Sequence, residues 1–273
     1  TRLETQPVTI AQLASRIGLR ITNNVNHFPE APQILIAGCG TGQHSLNTAS
    51  RFKNSHVTAI DLSLSSLSYA KRKTEELGVT NIEYLQADIL DLGILNEQFD
   101  IVESGGVLHH MADPVAGWKV LTDCLKLGGL MKIGLYSELA RKSVVKARSI
   151  IAKKKISSNK EDMLEFRRQI IKADDSVLNF LQDVSDFYST SELRDLLFHV
   201  QEHRFSIPQI SQILDELGLA FIGFEFPDKK MKNFYEVTYP QQEDLYDLEK
   251  WHELETLHPS IFIGMYQFWV QKI

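Results

Sequence analysis

The sequence predicts an α/β fold with a doubly wound, mostly parallel sheet. Short aliphatic runs alternate with helical stretches through the first half of the chain, which is the pattern of repeated strand–helix–strand units. The first aliphatic run, residues 34–37, is followed by a glycine cluster, where a buried strand must turn tightly into a helix. The second run ends in an acid, Asp61, about twenty residues beyond the glycines, at the tip of a second parallel strand.

The remaining elements follow from aliphatic runs, caps and breakers. Ser63 is a typical N-cap, Gly78 a typical helix stop, and Asp113 with Pro114 a typical helix start. The further strands are predicted at residues 57–60, 82–86, 101–103, 130–136, 219–224 and 261–270. Helices are predicted at residues 10–17, 43–52, 64–77, 114–125, 138–152, 160–172, 191–202 and 208–217.

The strand–helix alternation stops after Tyr136 and resumes only near residue 208. The intervening stretch is too long for a structureless loop and is therefore predicted to be a helical insertion. The expected division is a lead-in at 1–32, a ligand-binding half at 33–137, the insertion at 138–205, and completion of the sheet at 206–273. That last part carries a second helical insertion at 227–260.

Composition narrows the class of protein. With 273 residues, 43% hydrophobic and 23% charged, the chain suits one globular α/β domain with an insertion. A net charge of −6 disfavours a general binder of nucleic acid or of anionic membranes. Two cysteines fit a reducing compartment, so the cytoplasm is expected, and no run reaches the roughly 20 apolar residues of a membrane span. A chain that begins with Thr1 is typical of a fragment or a processed protein.

The predicted ligand site lies where the parallel strands end. Ligands of open α/β sheets bind beyond the carboxyl ends of the strands, and the residues that this rule collects are Gly38, Gly40, Asp61, Asp88 and Ser104. An acid at the position of Asp61 can accept hydrogen bonds from both ribose hydroxyls; the alternative is a helix cap. For Asp88 the alternative is a turn residue. The glycine spacing G-x-G-x-G favours one nucleoside over a dinucleotide.

Five motifs in order resemble the class I S-adenosylmethionine-dependent methyltransferases. They are residues 34–42, 59–63, 86–89, 99–102 and 125–130. The resemblance implies a Rossmann-like sheet of seven strands with an antiparallel last strand beside strand five, and S-adenosylmethionine as cofactor, with S-adenosylhomocysteine as product. It further implies a lead-in that covers the cofactor; the alternative is a partly disordered remnant.

The resemblance also assigns the cofactor site residue by residue. The glycines would face the methionine part, Asp61 the ribose, and Asp88 the adenine amino group, with Leu62 and Ile89 on either side of the ring. The implied cofactor-binding set is Gly38, Cys39, Gly40, Thr41, Gly42, His44, Asp61, Leu62, Asp88, Ile89, Ser104 and Gly105.

Two acceptor classes are disfavoured by the tip of strand four. Nucleobase amino-methyltransferases carry Asn/Asp-Pro-Pro-aromatic there, whereas residues 103–106 read Glu-Ser-Gly-Gly. Cytosine-5 enzymes need a nucleophilic cysteine facing the substrate, but Cys39 lies in the glycine turn and Cys124 late on a helix. A direct in-line transfer to another nucleophile is therefore predicted.

Several polar residues are candidates for the acceptor side. His109 is either a general base or a structural residue at a helix start, and Tyr136 either lines the pocket or simply packs. Residues 199–203 read H-x-x-E-H, the inverted zinc-protease pattern, but a methyltransferase insertion is the wrong context, so no metal is expected. The alternatives there are a polar face over the acceptor, including Glu202, or a packed helix. Asp186 is either a cap or a pocket carboxylate.

Residues 185–188, 194–203 and 264–269 resemble a narrower group, bacterial methyltransferases fused behind tetratricopeptide repeats. Relatives in that group, the rickettsial outer-membrane-protein lysine methyltransferases, modify protein lysines, which makes protein lysine the acceptor hypothesis. A lysine pocket needs aromatic walls and a carboxylate or tyrosine. The candidate catalytic residues are His109, Tyr136, Asp186, Tyr188 and Glu202. The alternatives are a small-molecule O- or N-methyltransferase and a non-catalytic binding module.

Overall fold

The computed structural model describes residues 6–22, 27–95, 98–198, 202–226 and 229–273. Its seven described strands are β1 Gln33–Ala37, β2 His56–Asp61, β3 Ile82–Gln86, β4 Phe99–Gly105, β5 Leu125–Leu135, β6 Leu219–Phe224 and β7 Tyr266–Lys272. They form one sheet in the order β3-β2-β1-β4-β5-β7-β6. Strands β1 to β5 pair in parallel, and β7 lies antiparallel between β5 and β6. The predicted doubly wound sheet with an antiparallel last strand is confirmed.

The described helices flank the sheet or belong to the insertions. They are α1 Ile10–Ile17, α2 Gln43–Arg51, α3 Leu64–Glu76, α4 Pro114–Asp123, α5 Lys142–Lys154, α6 Lys160–Lys172, α7 Ser176–Asn179, α8 Thr190–Phe198, α9 Ile207–Leu217, α10 Lys229–Thr238 and α11 Leu248–Leu257. The predicted caps form: Ser63 accepts from the Ser66 amide at 3.2 Å, and Asp113 from the Ala116 amide at 3.0 Å. No helix in these described ranges is both long enough and apolar enough to span a bilayer.

The lead-in forms part of the core. Helix α1 buries Ile10, Leu13 and Ala14 in the apolar cluster that also contains Ile34 and Trp269 of the sheet. An amphipathic helix of eight residues gains most of its stability from such packing. Residues 6–22 are therefore ordered against the sheet, and the covering of a cofactor by this segment stays a prediction.

The helical insertion between β5 and β6 has a core of its own, built around side chains such as Phe166, Phe187 and Leu193. It leaves and rejoins the sheet at a single point, where Ser137 pairs with Phe205. The Phe205 amide donates to the Tyr136 carbonyl at 2.9 Å, and the Glu138 amide donates to the Phe205 carbonyl at 2.9 Å. The two ends of the insertion are thus hydrogen-bonded to each other.

A buried carboxyl group fixes this point to the second insertion. Glu255 of α11 is fully buried and accepts hydrogen bonds from the Ser137 hydroxyl and from Tyr266 Oη, the latter at 2.7 Å. Burial raises the pKa of the Glu255 carboxyl above its ordinary value even though both hydroxyls donate to it. The Ser137 hydroxyl also accepts from the Ala140 amide, which orders the turn that precedes α5.

Four predicted boundaries are wrong. Strand β5 begins at Leu125 rather than residue 130, with irregular pairing to β4 near Phe99. The final strand begins at Tyr266, because the preceding apolar residues form a 3-10 turn, Pro259–Phe262, that buries Phe262. Helix α5 begins at Lys142, four residues later than predicted. Helix α8 ends at Phe198 and residues 202 and 203 are not helical; residues 199–201, with His199, lie outside the described residues.

Candidate functional site

The glycine turn after β1 adopts a backbone that other residues rarely take. Gly38, Gly40 and Gly42 have φ values of 79°, 52° and 84°. A Cβ atom on Gly38 would lie 2.3 Å from Val107 Cγ2, and one on Gly42 would lie 2.6 Å from Ala70 Cβ. A Cβ atom on Gly40 would have no neighbour within 4 Å among the described residues. Gly38 and Gly42 are therefore required by packing, whereas Gly40 leaves open space for the approach of a ligand.

Asp61, at the end of β2, ties this turn to the next strand. Its Oδ2 accepts from the Gly40 amide at 2.7 Å, and its Oδ1 accepts from the Ser63 amide at 2.9 Å. Each carboxylate oxygen keeps a further lone pair for a ligand hydroxyl. The structure thus places Asp61 at the glycine turn and against the amide of Ser63, which is itself the N-cap of α3.

The end of β3 supplies a turn and an apolar strip beside Asp61. Asp88 Oδ1 accepts from the Leu90 amide at 2.9 Å at the start of the 3-10 helix Ile89–Leu95, so its turn role is realised and its second oxygen remains available. Leu62 is 66% exposed, whereas Ile89 is buried. An exposed leucine at this crevice offers apolar surface to a flat ring.

A histidine–glutamate contact that the sequence did not predict joins α2 to β4. Glu103 is fully buried, and its Oε2 lies 2.6 Å from His44 Nε2 and accepts from Thr48 Oγ1 at 2.7 Å. Burial works to raise the pKa of this carboxyl, but the hydrogen bond and charge of His44 hold it well below its ordinary value. The pair sits at the mouth of the crevice, since a Cβ atom on Gly105 would lie 3.8 Å from His44 Cε1.

The remaining residues of the implied cofactor set line the same turn and strand tip. Thr41 is exposed beside Gly40, and Ser104 is buried at the end of β4, where its hydroxyl has no hydrogen-bond partner in the described part of the chain. Burial and the nearby Asp61 charge raise the pKa of the Cys39 thiol to about 11. Cys39 is therefore a thiol at neutral pH, in agreement with the sequence-based exclusion of a cysteine nucleophile.

Two cavities open beside the tip of β4, over the end of β5. The first, here called the Tyr136 cavity, has a volume of about 370 Å³ and includes Asp186 and Met265 in its lining. The second, here called the His110 cavity, also measures about 370 Å³ and shares Tyr136 and Asp186 with the first. Met265 borders the strand tips, since a Cβ atom on Gly134 would lie 2.9 Å from its Sδ.

The two cavities are lined by acids. Arg141 and Glu225 also line the first cavity, but they are paired with Glu202 and Lys132. The other charged lining residues are Asp183, Asp186, Glu192 and Asp195. None of the four has a salt bridge within the residues that the structure describes. Carboxylates without a counter-charge favour a cation in the space that they surround.

The ring of Tyr136 lies between the His109 ring and the Arg141 guanidinium. The His109 ring lies at 3.9 Å from its centroid, and the Arg141 guanidinium carbon at 3.5 Å. Two groups this close must lie on opposite faces, so only the edge and hydroxyl of Tyr136 are left for a ligand. Burial raises the pKa of the phenol, partly offset by the Arg141 charge, and Tyr136 is therefore a neutral phenol at physiological pH.

Glu202 belongs to a buried ionic cluster with two arginines. Its Oε2 lies 2.7 Å from Arg141 Nη2 and 2.9 Å from Arg148 Nη2, and its side chain is 1% exposed. Burial lowers the pKa of the Arg148 guanidinium, although Glu202 opposes this shift. Glu202 therefore holds Arg141 against Tyr136 and does not line either acidic cavity.

The structure brings together only part of the predicted acceptor set. Tyr136 and Asp186 share both cavities, whereas His109 is fully buried against the Tyr136 ring and lines neither. Tyr188 is 56% exposed, donates to the Gln182 carbonyl at 3.1 Å and lines neither cavity. No group of three or more residues suited to hold a metal ion occurs in the described ranges.

Sequence reasoning missed Arg141, Glu192 and Asp195 at the acceptor side and the His44–Glu103 pair at the crevice. One signal for the pair was present, because a glutamate within the aliphatic run of β4 must be buried and therefore needs a partner. The acids of the insertion gave no such signal, since surface helices are commonly rich in acids.

Comparisons with known proteins agree with this architecture. Residues 34–129 match the family described as a methyltransferase domain. An uncharacterized protein of Synechococcus sp. is 27% identical over 242 residues, which cover 84% of this chain and 58% of the relative. A ubiquinone biosynthesis O-methyltransferase of Marinobacter nauticus is 37% identical over 100 residues, covering 36% of this chain and 41% of the relative.

Among solved structures, PKMT2 from Rickettsia typhi superposes with a TM-score of 0.70 at 17% identity, covering 95% of this chain and 51% of that chain. The same protein in complex with AdoHcy gives a TM-score of 0.66 at 18% identity, covering 93% and 50%. At this identity the likeness shows a shared fold. The chain spans only about half the length of the rickettsial protein.

Proposed function

We propose that this chain, a class I methyltransferase by its family match over residues 34–129 and by its sheet topology, transfers a methyl group from S-adenosylmethionine to a protein lysine. The observation that carries the acceptor assignment is the set of four acids, without a salt bridge among the described residues, that line the two cavities at Tyr136. The neighbour from Rickettsia typhi, solved with AdoHcy, supports the choice of cofactor.

The cofactor would bind over the ends of β1 to β4. Gly40 leaves room for the methionine part, Asp61 would accept from the ribose hydroxyls, and the second oxygen of Asp88 from the adenine amino group. Leu62 and Ile89 would hold the ring between them. When bound, S-adenosylmethionine would supply an electrophilic methyl group: an amine lone pair would form the N–C bond in line as the methyl–sulfur bond breaks and neutral S-adenosylhomocysteine leaves.

On the acceptor side, the chain must attract an ammonium and then accept its proton. The acids of the two cavities attract the cation, and the edge of Tyr136 limits its position. Asp186 is the acid common to both cavities, so we assign the proton-accepting role to it. The ammonium would lose its proton more readily close to the positive sulfonium of the bound cofactor, because a neighbouring positive charge disfavours the charged form of the amine. Arg141 stays paired with Glu202 and does not enter this step.

The small-molecule alternative draws on relatives such as the Papaver somniferum (S)-coclaurine N-methyltransferase, which is 29% identical over 102 residues. A match of that length cannot include both Gly38 and Asp186, so it does not span the cofactor side and the acceptor side together. No observation in the described cavities favours a neutral acceptor over a cationic one.

The first test is calorimetric titration with S-adenosylmethionine and S-adenosylhomocysteine, followed by transfer of a labelled methyl group to lysine-rich proteins and to a panel of small amines and hydroxyl compounds. Binding and transfer to lysine support the proposal. Asp186→Asn should lower the transfer rate about a hundredfold or more without changing cofactor affinity, whereas the exposed control Asp215→Asn should not.

Each other outcome selects an alternative. Binding with transfer only to small molecules would establish the small-molecule methyltransferase. No binding by the folded chain would favour the non-catalytic module.

A further inference from the structure

A third and larger cavity continues the carboxyl edge of the sheet outward to β6. It has a volume of about 630 Å³ and is here called the Arg16 cavity. Its aromatic lining consists of Phe224, Phe226, Tyr246 and Trp251. Glu225 and Phe226 line both this cavity and the Tyr136 cavity, so the two spaces are separated by one shared wall.

The shared wall is rigidly held. Glu225 Oε2 lies 2.8 Å from Lys132 Nζ, accepts from Trp269 Nε1 at 2.7 Å, and its amide donates to the Gln267 carbonyl at 2.8 Å. The buried ammonium of Lys132 neutralises the Glu225 carboxylate. The wall is therefore neutral toward both cavities and divides them sterically.

The far side of the Arg16 cavity carries two cations, Arg16 and Lys232, and one acid, Glu236. Arg16 has no salt bridge in the part of the chain that the structure describes, and Lys232 approaches Glu236 only at 3.8 Å, with both side chains largely exposed. An exposed pair at that distance is weak, so Lys232 can exchange Glu236 for another carboxylate at little cost. The aromatic floor is thus bordered by Arg16, which has no salt bridge among the described residues, and by the exposed Lys232–Glu236 pair. With Glu225 neutralised by Lys132, this lining keeps one net positive charge, in contrast to the acids around Tyr136.

We infer that the Arg16 cavity is a second subsite for the acceptor, which takes a carboxylate-bearing side chain close in sequence to the methylated lysine. The opposite polarities of the two spaces fit a polypeptide segment that carries a cation and an anion, and the shared wall requires an acceptor long enough to cross it. The inference rests on the proposed function, since it presumes that lysine enters the Tyr136 cavity.

The test uses binding of synthetic fluorescent peptides to the full chain saturated with S-adenosylhomocysteine, measured by anisotropy. Each peptide has one central lysine and one glutamate at successive positions on either side, and its control has glutamine in place of that glutamate. At one or a few positions the glutamate peptide should bind about fivefold more tightly than its glutamine control.

The charge-reversed variant Arg16→Glu/Lys232→Glu should lose or invert this preference. A matched control, Lys53→Glu, reverses an exposed charge in the turn before β2, at the opposite edge of the sheet, and should keep it. Equal binding of glutamate and glutamine peptides, absence of peptide binding, or a preference that survives the double variant would overturn the inference.

Methyl transfer to the same peptides is scored separately. Methylation without any preference for an acid would leave the proposed function standing and refute the second subsite. Calorimetry with S-adenosylhomocysteine on every variant verifies that the cofactor half is intact.

Discussion

The two halves of the carboxyl edge of the sheet are built in different ways. Over β1 to β4, the site is made largely of backbone groups and of residues within a few positions of a strand end, such as Gly40 and Asp61. Over β5 to β7, it is made of side chains from segments far apart in sequence, among them Tyr136, Asp186 and Met265. A backbone-built site depends on strand geometry, whereas a side-chain-built site depends on how the insertions pack.

The largest effect should separate the two halves. Glu202→Gln would leave Arg141 and Arg148 buried without their counter-charge, so the free energy of unfolding should fall by about 3–5 kcal/mol. Affinity for S-adenosylhomocysteine should stay unchanged, because Glu202 does not touch the glycine turn. Urea unfolding and calorimetry measure the two quantities. The exposed control Glu192→Gln should change stability by about 0.5 kcal/mol or less. A parallel loss of cofactor affinity would show that the halves are not independent.

The converse variant acts on the cofactor half. Asp61→Asn removes the charge that receives the Gly40 and Ser63 amides, and affinity for S-adenosylhomocysteine should fall about ten- to a hundredfold, the value of one charge-assisted hydrogen bond. Calorimetry measures this loss, and Asp91→Asn, an exposed acid of the adjoining 3-10 helix, is the matched control. Unchanged affinity would refute the ribose assignment.

Acid should weaken the cofactor half through Glu103. Its pKa is lower in the folded chain than the ordinary 4.5, so the unfolded chain takes up the proton more readily. At neutral pH, the free energy of unfolding of the wild type should exceed that of Glu103→Gln by about 1–3 kcal/mol. That difference should shrink as the pH falls below 4.5. Urea unfolding across this pH range provides the measurement, and a difference that is constant with pH would contradict the assignment.

Glu255 should give the opposite pH dependence and the smallest effect. Because its pKa is raised in the folded chain, its contribution to stability is present at acid pH and is lost as the pH rises through the folded pKa. From acid to neutral pH, the free energy of unfolding of the wild type should therefore fall by about 1 kcal/mol relative to that of Glu255→Gln. Unfolding of both proteins over that range tests the sign, and a gain of wild type with rising pH would contradict it.

The cofactor half could be predicted from the sequence because its determinants are local. The glycine turn, Asp61 and the Ser63 cap follow from residue type and spacing alone, and the structure places all three as expected. The apolar run 261–270 misled for a physical reason: a buried 3-10 turn such as Pro259–Phe262 needs apolar residues as much as a strand does.

The acceptor half resisted prediction because its contacts are distant in sequence. The Arg141–Glu202 pair spans 61 positions, and no periodicity encodes it. Taking residues 191–202 as one helix placed Glu202 on a pocket-facing surface, whereas the described helix ends at Phe198 and Glu202 turns back toward Arg141. The sequence predicts Tyr188 in the pocket beside Asp186, whereas in the structure it is 56% exposed and lines neither cavity.

The isolated bridge between Ser137 and Phe205 has an evolutionary consequence. A segment whose two ends are hydrogen-bonded to each other can be lengthened, shortened or exchanged without altering the spacing of the strands on either side. The segment between these residues has a separate core and can therefore be exchanged as a unit. Replacing it by a short turn, or by the corresponding segment of another enzyme, would offer a route to new acceptors on an unchanged cofactor platform.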